Sequence, residues 1–148
     1  MPKDQLAELT QPQRDRLAFI ELRVRFVGEI RRQDLVARFG IQSAAATRDL
    51  ALYKELSPGN IDYDPKGKAY VLGPDFRPIF DFPPERVLSW LTQGFGDGEP
   101  MRIEAWVASE SPSRLTHPDL DVLASVTRAI HQGCPLGVEY YSISSGCT

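Results

Sequence analysis

The chain has 148 residues, 42% of them apolar, with 12 Pro, 11 Gly and two Cys, a composition inside the globular range. A chain of this length buries roughly two thirds of its unfolded surface, so its core needs neither disulfides nor metal, and a cysteine-stapled secreted fold is not expected. No window approaches the roughly 18 to 20 apolar residues that span a bilayer, and Met1 to Gln5 lead into no signal-peptide core, so the expected location is the cytoplasm. Net charge is −3, but it is unevenly divided: residues 1–78 carry +2 and residues 79–148 carry −5. The asymmetry points to a first part able to meet an anion and an acidic second part with another task.

Residues 12–27 place Leu17, Ile20, Val24 and Val27 at steps of three and four, with Phe19, Leu22 and Phe26 widening the stripe, which predicts an amphipathic helix. Thr10 with Gln13 fits a capping box, and Pro12 lies where a missing N–H loses no helical bond. Gly28 breaks this helix, and Gly28-Glu29-Ile30 has room only for a turn or a very short strand. A two-turn helix carrying Leu35, Val36 and Phe39 follows and stops at Gly40, with Arg31-Arg32 a poor N-cap on propensity. A third helix runs from Gln42 or Ser43 to Leu56, with Ala46, Leu50 and Tyr53 on one face and Ser43, Ala44, Thr47, Arg48 and Ala51 on the other. Ile61 to Asp64 and Lys68 to Leu72 alternate around Pro65-Lys66-Gly67, a hairpin in which Gly67 is expected to supply the positive φ.

After Gly73-Pro74, a proline-rich run holding Phe76, Phe80 and Phe82 excludes regular helix yet demands burial, so it is expected to pack back on the molecule. Residues 85–92 form a short helix, Gly94 to Gly98 a flexible connection, and Met101 to Val107 an alternating strand. A last helix spans about Pro118 to Gln132, with Leu120, Leu123, Ala124, Thr127 and Ile130 on one stripe and Gly133 as its stop. Leu136 to Ile143 then alternate as a strand, expected to pair with another chain or with the Met101 to Val107 strand.

Helix, short strand, helix, tight turn at Gly40-Ile41, helix and hairpin follow one another in the order of a winged helix-turn-helix. In that arrangement the small outer side chains of the third helix enter a major groove. The base-facing set is then Ser43, Ala44, Thr47 and Arg48, with Gln42 just before them a further DNA-binding candidate: Arg48 pairs with guanine or phosphate, the hydroxyls bond less selectively, and an Ala methyl meets thymine methyls. Lys66 and Lys68 at the hairpin tip, and Arg31 and Arg32 at a helix start, are the candidate backbone contacts. The competing use of such a fold is as a protein-interaction module without DNA binding of its own.

The run Gly40-Ile41-Gln42-Ser43-Ala44-Ala45-Ala46-Thr47-Arg48-Asp49-Leu50 resembles the turn and recognition helix of DeoR-type repressors. A longer likeness, through Tyr53, Leu56 to Asn60, Tyr63-Asp64, Lys68 to Tyr70 and Phe76 to Pro78, is to the N-terminal domain of WYL-domain transcriptional regulators of phage-defence islands, the BREX- and CBASS-associated regulators. Ala129 to Ser142 and Ser145-Gly146 resemble the connecting helix and opening strand of the WYL domain. The resemblance implies an α+β, mainly helical chain: a winged helix-turn-helix over 1–80, connecting helices over 81–118, and over 119–148 the start of an incomplete WYL-type, SH3-like barrel. It also implies a dimeric repressor of a phage-defence operon, bound to a palindromic operator on double-stranded DNA in the cytoplasm, at the nucleoid. The family's ligand-sensing residues lie beyond the last residue here, so no ligand is assigned.

Other chemistry is thinly signalled. His117, His131, Cys134 and Cys147 lack the paired spacing of a zinc site, and no oriented base or oxyanion site accompanies Cys134, so neither metal, cofactor nor enzymatic activity is expected. Trp90, Phe95 and Trp106 read as core or interface anchors rather than base-stacking platforms.

Overall fold

In the computed structural model of the chain, residues 2–93 and 119–139 are described. The elements run α1 (Pro2–Ala7), α2 (Gln11–Phe26), β1 (Glu29–Ile30), α3 (Arg32–Phe39), α4 (Ser43–Leu56), β2 (Ile61–Asp64), β3 (Ala69–Leu72), α5 (Pro84–Gln93) and α6 (Leu120–Gln132). The sheet is antiparallel in the order β1-β3-β2, with Glu29 opposite Val71 and Ile61 opposite Leu72. Three helices and a small sheet closed by a hairpin make the winged helix, and the short strand at Glu29-Ile30 joins the wing to the helices. The expected strand Met101 to Val107, the loop at Gly94 to Gly98, Phe95, Trp106, His117 and Cys147 lie outside the described residues.

α2 is the axis of the molecule. Its start follows the predicted signal: Thr10 Oγ1 accepts from Gln13 N, and Gln13 Oε1 accepts from Thr10 N, so two otherwise unpaired groups satisfy each other. Instead of one stripe, α2 buries two faces. Leu17, Phe19, Ile20 and Val24 meet Leu35, Ala46, Leu50, Tyr53 and Ile61 in one core, and Leu22 and Phe26 meet Phe82, Val87, Trp90, Leu91 and Ala124 in another. The second face explains why Leu22 and Phe26 widened the apolar stripe, while Phe19 belongs to the first. α1 was not signalled in the sequence; it adds Leu6 to the first core.

As its propensity implied, Arg31 makes no side-chain cap for α3, and Asp34, the third residue of the helix, reaches back to accept the Arg31 N–H at 2.7 Å. Three local outcomes differ from expectation. The hairpin loop holds four residues, since Asp64 pairs with Ala69, and its last residue, Lys68, takes the left-handed conformation (φ 51) in place of Gly67. Ile130, assigned to the packed stripe of α6, is 51% exposed: α6 meets α2 through Leu120, Leu123, Ala124 and Thr127, and beyond Thr127 the contacts are made by Arg128, His131 and Gln132 instead. Residues 134–139, which include the first half of the expected Leu136 to Ile143 strand, carry no regular structure and are exposed. Among the described residues they have no strand beside them to accept their backbone bonds.

The proline-rich run packs back as expected. Phe80 and Phe82 stack at 6.2 Å, Phe82 meets Trp90 edge-on at 5.8 Å, and Trp90 is a core residue of the second cluster. α6 is fixed to α2 by a guanidinium pair: Arg25 Nη2 lies 3.0 Å from Asp121 Oδ1, and Arg128 Nη1 donates to the Arg25 carbonyl at 2.6 Å. At the other end of α6, a Cβ built on Gly28, which has φ +98, falls 2.5 Å from Gln132 Nε2, so the turn after α2 is closely covered.

Candidate nucleic-acid interface

α4 is positioned by what it buries. Ala46, Leu50 and Tyr53 face the core at the predicted spacing, and Asp49 and Leu56 join them. Asp49 is buried because Arg16 of α2 meets it, with Nε 2.6 Å from Oδ2 and Nη2 3.4 Å from Oδ1. Gly40 caps α3 in the left-handed conformation (φ 66, ψ 27), and its N–H donates to the Val36 carbonyl, which reverses the chain and delivers Ile41 and Gln42 to the start of α4. Phe19 and Phe39 meet edge to face at 5.4 Å and hold α3 to α2 within the same core.

The remaining side of the first two turns faces outward. Gln42, Ser43, Ala44, Thr47 and Arg48 are all exposed, as are Arg31 and Arg32 at the α3 start and Lys66 and Lys68 in the hairpin loop. Arg32 Nη1 lies 3.5 Å from Thr47 Oγ1, so the start of α3 and the outer face of α4 form one surface. The Thr47 hydroxyl donates to the Ser43 carbonyl at 3.0 Å, which commits its proton within the helix and leaves its lone pairs as acceptors.

Two acidic features temper this surface. Arg31 Nη1 pairs with Glu29 Oε1 at 3.0 Å, and His131 Nε2 of α6 approaches the same oxygen at 3.4 Å. Partial burial raises the Glu29 pKa, but the hydrogen bonds and charges of Arg31 and His131 outweigh it and hold the carboxyl below its ordinary range. In the wing, Asp62 of β2 is exposed and Asp64 Oδ1 accepts the Lys66 N–H at 3.0 Å, so the hairpin carries two carboxylates as well as two lysines. Tyr63, 50% exposed with its ring 5.1 Å from that of Tyr70, is an apolar feature of the wing that sequence reasoning missed. Its alternation with the buried Ile61 in β2 was the available signal: both lie on one face of the strand, which runs past the end of the core.

Beneath the surface lies a polar cluster that the sequence reading also missed. Glu21, wholly buried in the apolar run Phe19-Ile20-Glu21-Leu22, accepts from Tyr53 Oη at 2.8 Å, Ile79 N at 2.8 Å and Phe80 N at 2.9 Å. Asn60 Nδ2 donates to Tyr53 Oη at 2.9 Å and to the Arg77 carbonyl at 2.8 Å, and Asn60 Oδ1 accepts the Arg77 N–H at 2.8 Å. Burial raises the Glu21 pKa against the pull of these donors and of Arg25. Burial and the Glu21 charge likewise push the Tyr53 hydroxyl far above its ordinary value, so Tyr53 stays a neutral donor.

A helix-turn-helix whose second helix shows a small, polar outer face, followed by a hairpin carrying lysines, defines a winged helix-turn-helix domain of the regulator type. Residues 12–93 match the BrxR transcriptional regulator winged helix-turn-helix domain, and the chain belongs to that family, one of transcriptional regulators. It is similar to a DNA-binding transcriptional repressor CapW of Stenotrophomonas maltophilia, 33% identical over 141 residues that cover 90% of this chain and 46% of the relative. A protein of the same description from Escherichia coli (strain KTE188) is 32% identical over 143 residues, covering 89% and 46%. Another from Pseudomonas aeruginosa is 35% identical over 68 residues, covering 46% and 23%. The chain thus spans about half the length of the first two of these relatives. No described helix is long and apolar enough to cross a membrane.

Proposed function

We propose that this chain is the operator-reading part of a transcriptional repressor, with α4 entering the major groove and the wing lying along the adjacent backbone. The observation that carries the reading is the outward side of α4. Gln42, Ser43, Ala44, Thr47 and Arg48 are exposed together on a helix whose opposite side is locked by Asp49, Leu50 and Tyr53. Arg48 is the base-reading or phosphate-pairing cation, Gln42, Ser43 and Thr47 supply adaptable hydrogen bonds, and Ala44 supplies a methyl contact. Arg31, Arg32, Lys66 and Lys68 are backbone contacts. Arg31 exchanges Glu29 for phosphate on binding, so it contributes less than an unpaired arginine. The similar proteins described as DNA-binding transcriptional repressors support the same reading.

The repressor acts as a homodimer on a palindromic site of double-stranded DNA, because one small head with few basic groups gains affinity when two are joined. Val122 and Ile130 on α6, with Leu136 and Val138 after it, are exposed apolar groups in the acidic half and suit a joining surface. Residues 119–148 belong to the beginning of a WYL-type segment. The regulated genes are those of a phage-defence operon, and the protein works at the nucleoid.

Fluorescence anisotropy with the duplex upstream of the gene tests this reading. Selective binding is expected to survive competitor DNA and to weaken steeply with salt. Arg48→Ala costs about 1–3 kcal/mol and relaxes base preference, whereas Lys66→Ala weakens all duplexes alike and lowers the salt slope by about 1. Absent or salt-insensitive binding would instead make the fold an interaction module.

A further inference from the structure

The recognition helix is tied to α2 by two polar bonds about one helical turn apart, the part-buried Arg16 to Asp49 and the buried Glu21 to Tyr53. Apolar contacts through Ala46 and Leu50 are non-directional, and would tolerate a small roll or slide of α4 at little loss of buried area. Hydrogen bonds do not tolerate it, since they weaken steeply once the donor angle closes. The pair therefore sets the rotation and axial register of α4, and with them the outward aim of Thr47 and Arg48.

One of these bonds has a second owner. Glu21 Oε1 accepts from both Tyr53 Oη and Ile79 N, Glu21 Oε2 accepts from Phe80 N, and Asn60 couples the Tyr53 hydroxyl to both backbone groups of Arg77. Residues 77–80, by which the chain leaves the wing toward α5, thus share a single carboxylate with the recognition helix. Moving that segment withdraws two backbone donors from Glu21. A buried carboxylate deprived of donors must find replacements or shift, and its nearest remaining donor is the Tyr53 hydroxyl.

We propose that Glu21 and Tyr53 are positioning residues that make the aim of α4 depend on the conformation of residues 77–80, so that a displacement of this exit segment changes base reading. The inference rests on the operator-reading role proposed above. Neither residue touches DNA.

The test is a double-mutant cycle on the full 148-residue chain. Pro78 is exposed, and Pro78→Gly loosens the exit segment without changing any group on α4. Tyr53→Phe cuts α4 from Glu21 while leaving the Ile79 and Phe80 bonds in place. In two-dimensional amide NMR, Pro78→Gly is expected to shift the resonances of Ser43 to Arg48, and the same substitution in the Tyr53→Phe background is expected to leave them still. Tyr53→Phe alone lowers the ratio of upstream-duplex to scrambled-duplex affinity about fivefold or more, the scale of a modest coupling between sites, with scrambled-duplex affinity unchanged. Leu91→Ala, a lesion in the second core, lowers thermal stability but leaves that ratio alone. Pro78→Gly shifts confined to residues 76–82, or equal α4 shifts in both backgrounds, would overturn the proposal. A wild-type chain that does not discriminate between duplexes would refute the operator-reading role, while the NMR cycle would still decide the coupling.

Discussion

Replacing Glu21 with Gln is the most informative single perturbation of the fold. The carboxylate serves three donors with two oxygens. Glutamine keeps one oxygen, which at the Oε1 position retains Tyr53 and Ile79 and turns an amide NH2 toward the Phe80 N–H. A buried donor left facing a donor costs about 1–3 kcal/mol, and the two retained bonds fall from charge-assisted to neutral strength, about 1 kcal/mol each. The carboxylate's desolvation, which raises the Glu21 pKa, is relieved and offsets part of this. The net expectation near neutral pH is a loss of about 2–3 kcal/mol, or a melting temperature lower by roughly 4–12 °C for a chain of this size. Urea unfolding followed by Trp90 fluorescence and by circular dichroism gives the stability gap directly.

The gap also has a predicted pH dependence. Because the folded-state pKa of Glu21 lies above its ordinary value of 4.5, the folded protein binds the extra proton between those two values. The stability this confers is complete below 4.5 and is lost as pH rises through the folded pKa. The other carboxylates are common to both proteins and cancel in the difference, so the wild-type advantage over Glu21→Gln widens on acidification from pH about 7.5 to about 5. A gap below about 0.5 kcal/mol would show that the three bonds contribute nothing net, and a gap that narrows with acid would show that the donors outweigh burial.

Leu50→Ala, at a position 1% exposed between α2 and α4, is expected to lower stability by about 2–5 kcal/mol in the same urea assay. Thr10→Ala removes the α2 capping bond and lowers stability by about 1 kcal/mol, with Thr10→Ser close to wild type. Gly28→Ala forces a side chain into φ +98 and displaces the Gln132 amide, and is expected to lower the thermal midpoint by the equivalent of about 1–2 kcal/mol.

Much of the winged helix-turn-helix was legible because its signals are local. The Thr10–Gln13 capping box, the stop at Gly40, the spacing of Ala46, Leu50 and Tyr53, and the alternation around Pro65 each act within a few residues. The elements they predict are present to within a residue or two. The outer face of α4 followed from the inner one, since a helix with one buried side must show the other.

Glu21 was not legible. Within Phe19-Ile20-Glu21-Leu22 an acid reads as the solvent edge of a stripe, and its partners lie 32, 58 and 59 residues away. Asp49 was hidden in the same way, because only Arg16, 33 residues before it, accounts for its burial. Lys68 took the left-handed position because the hairpin register gave the loop four residues, and no residue within the loop announces its length. The exposure of Ile130 depends on which side of the last turn of α6 meets Gly28 and Glu29, a tertiary outcome that helical periodicity does not contain.

Which surface meets the duplex decides the proposed function. Titrating the isotopically labelled chain with the DNA upstream of its gene and following amide resonances locates that surface. The largest changes are predicted at Gln42 to Arg48, with smaller ones at Arg31, Arg32 and Lys66 to Lys68. Changes concentrated on α5 and α6, with the start of α4 unmoved, would contradict it.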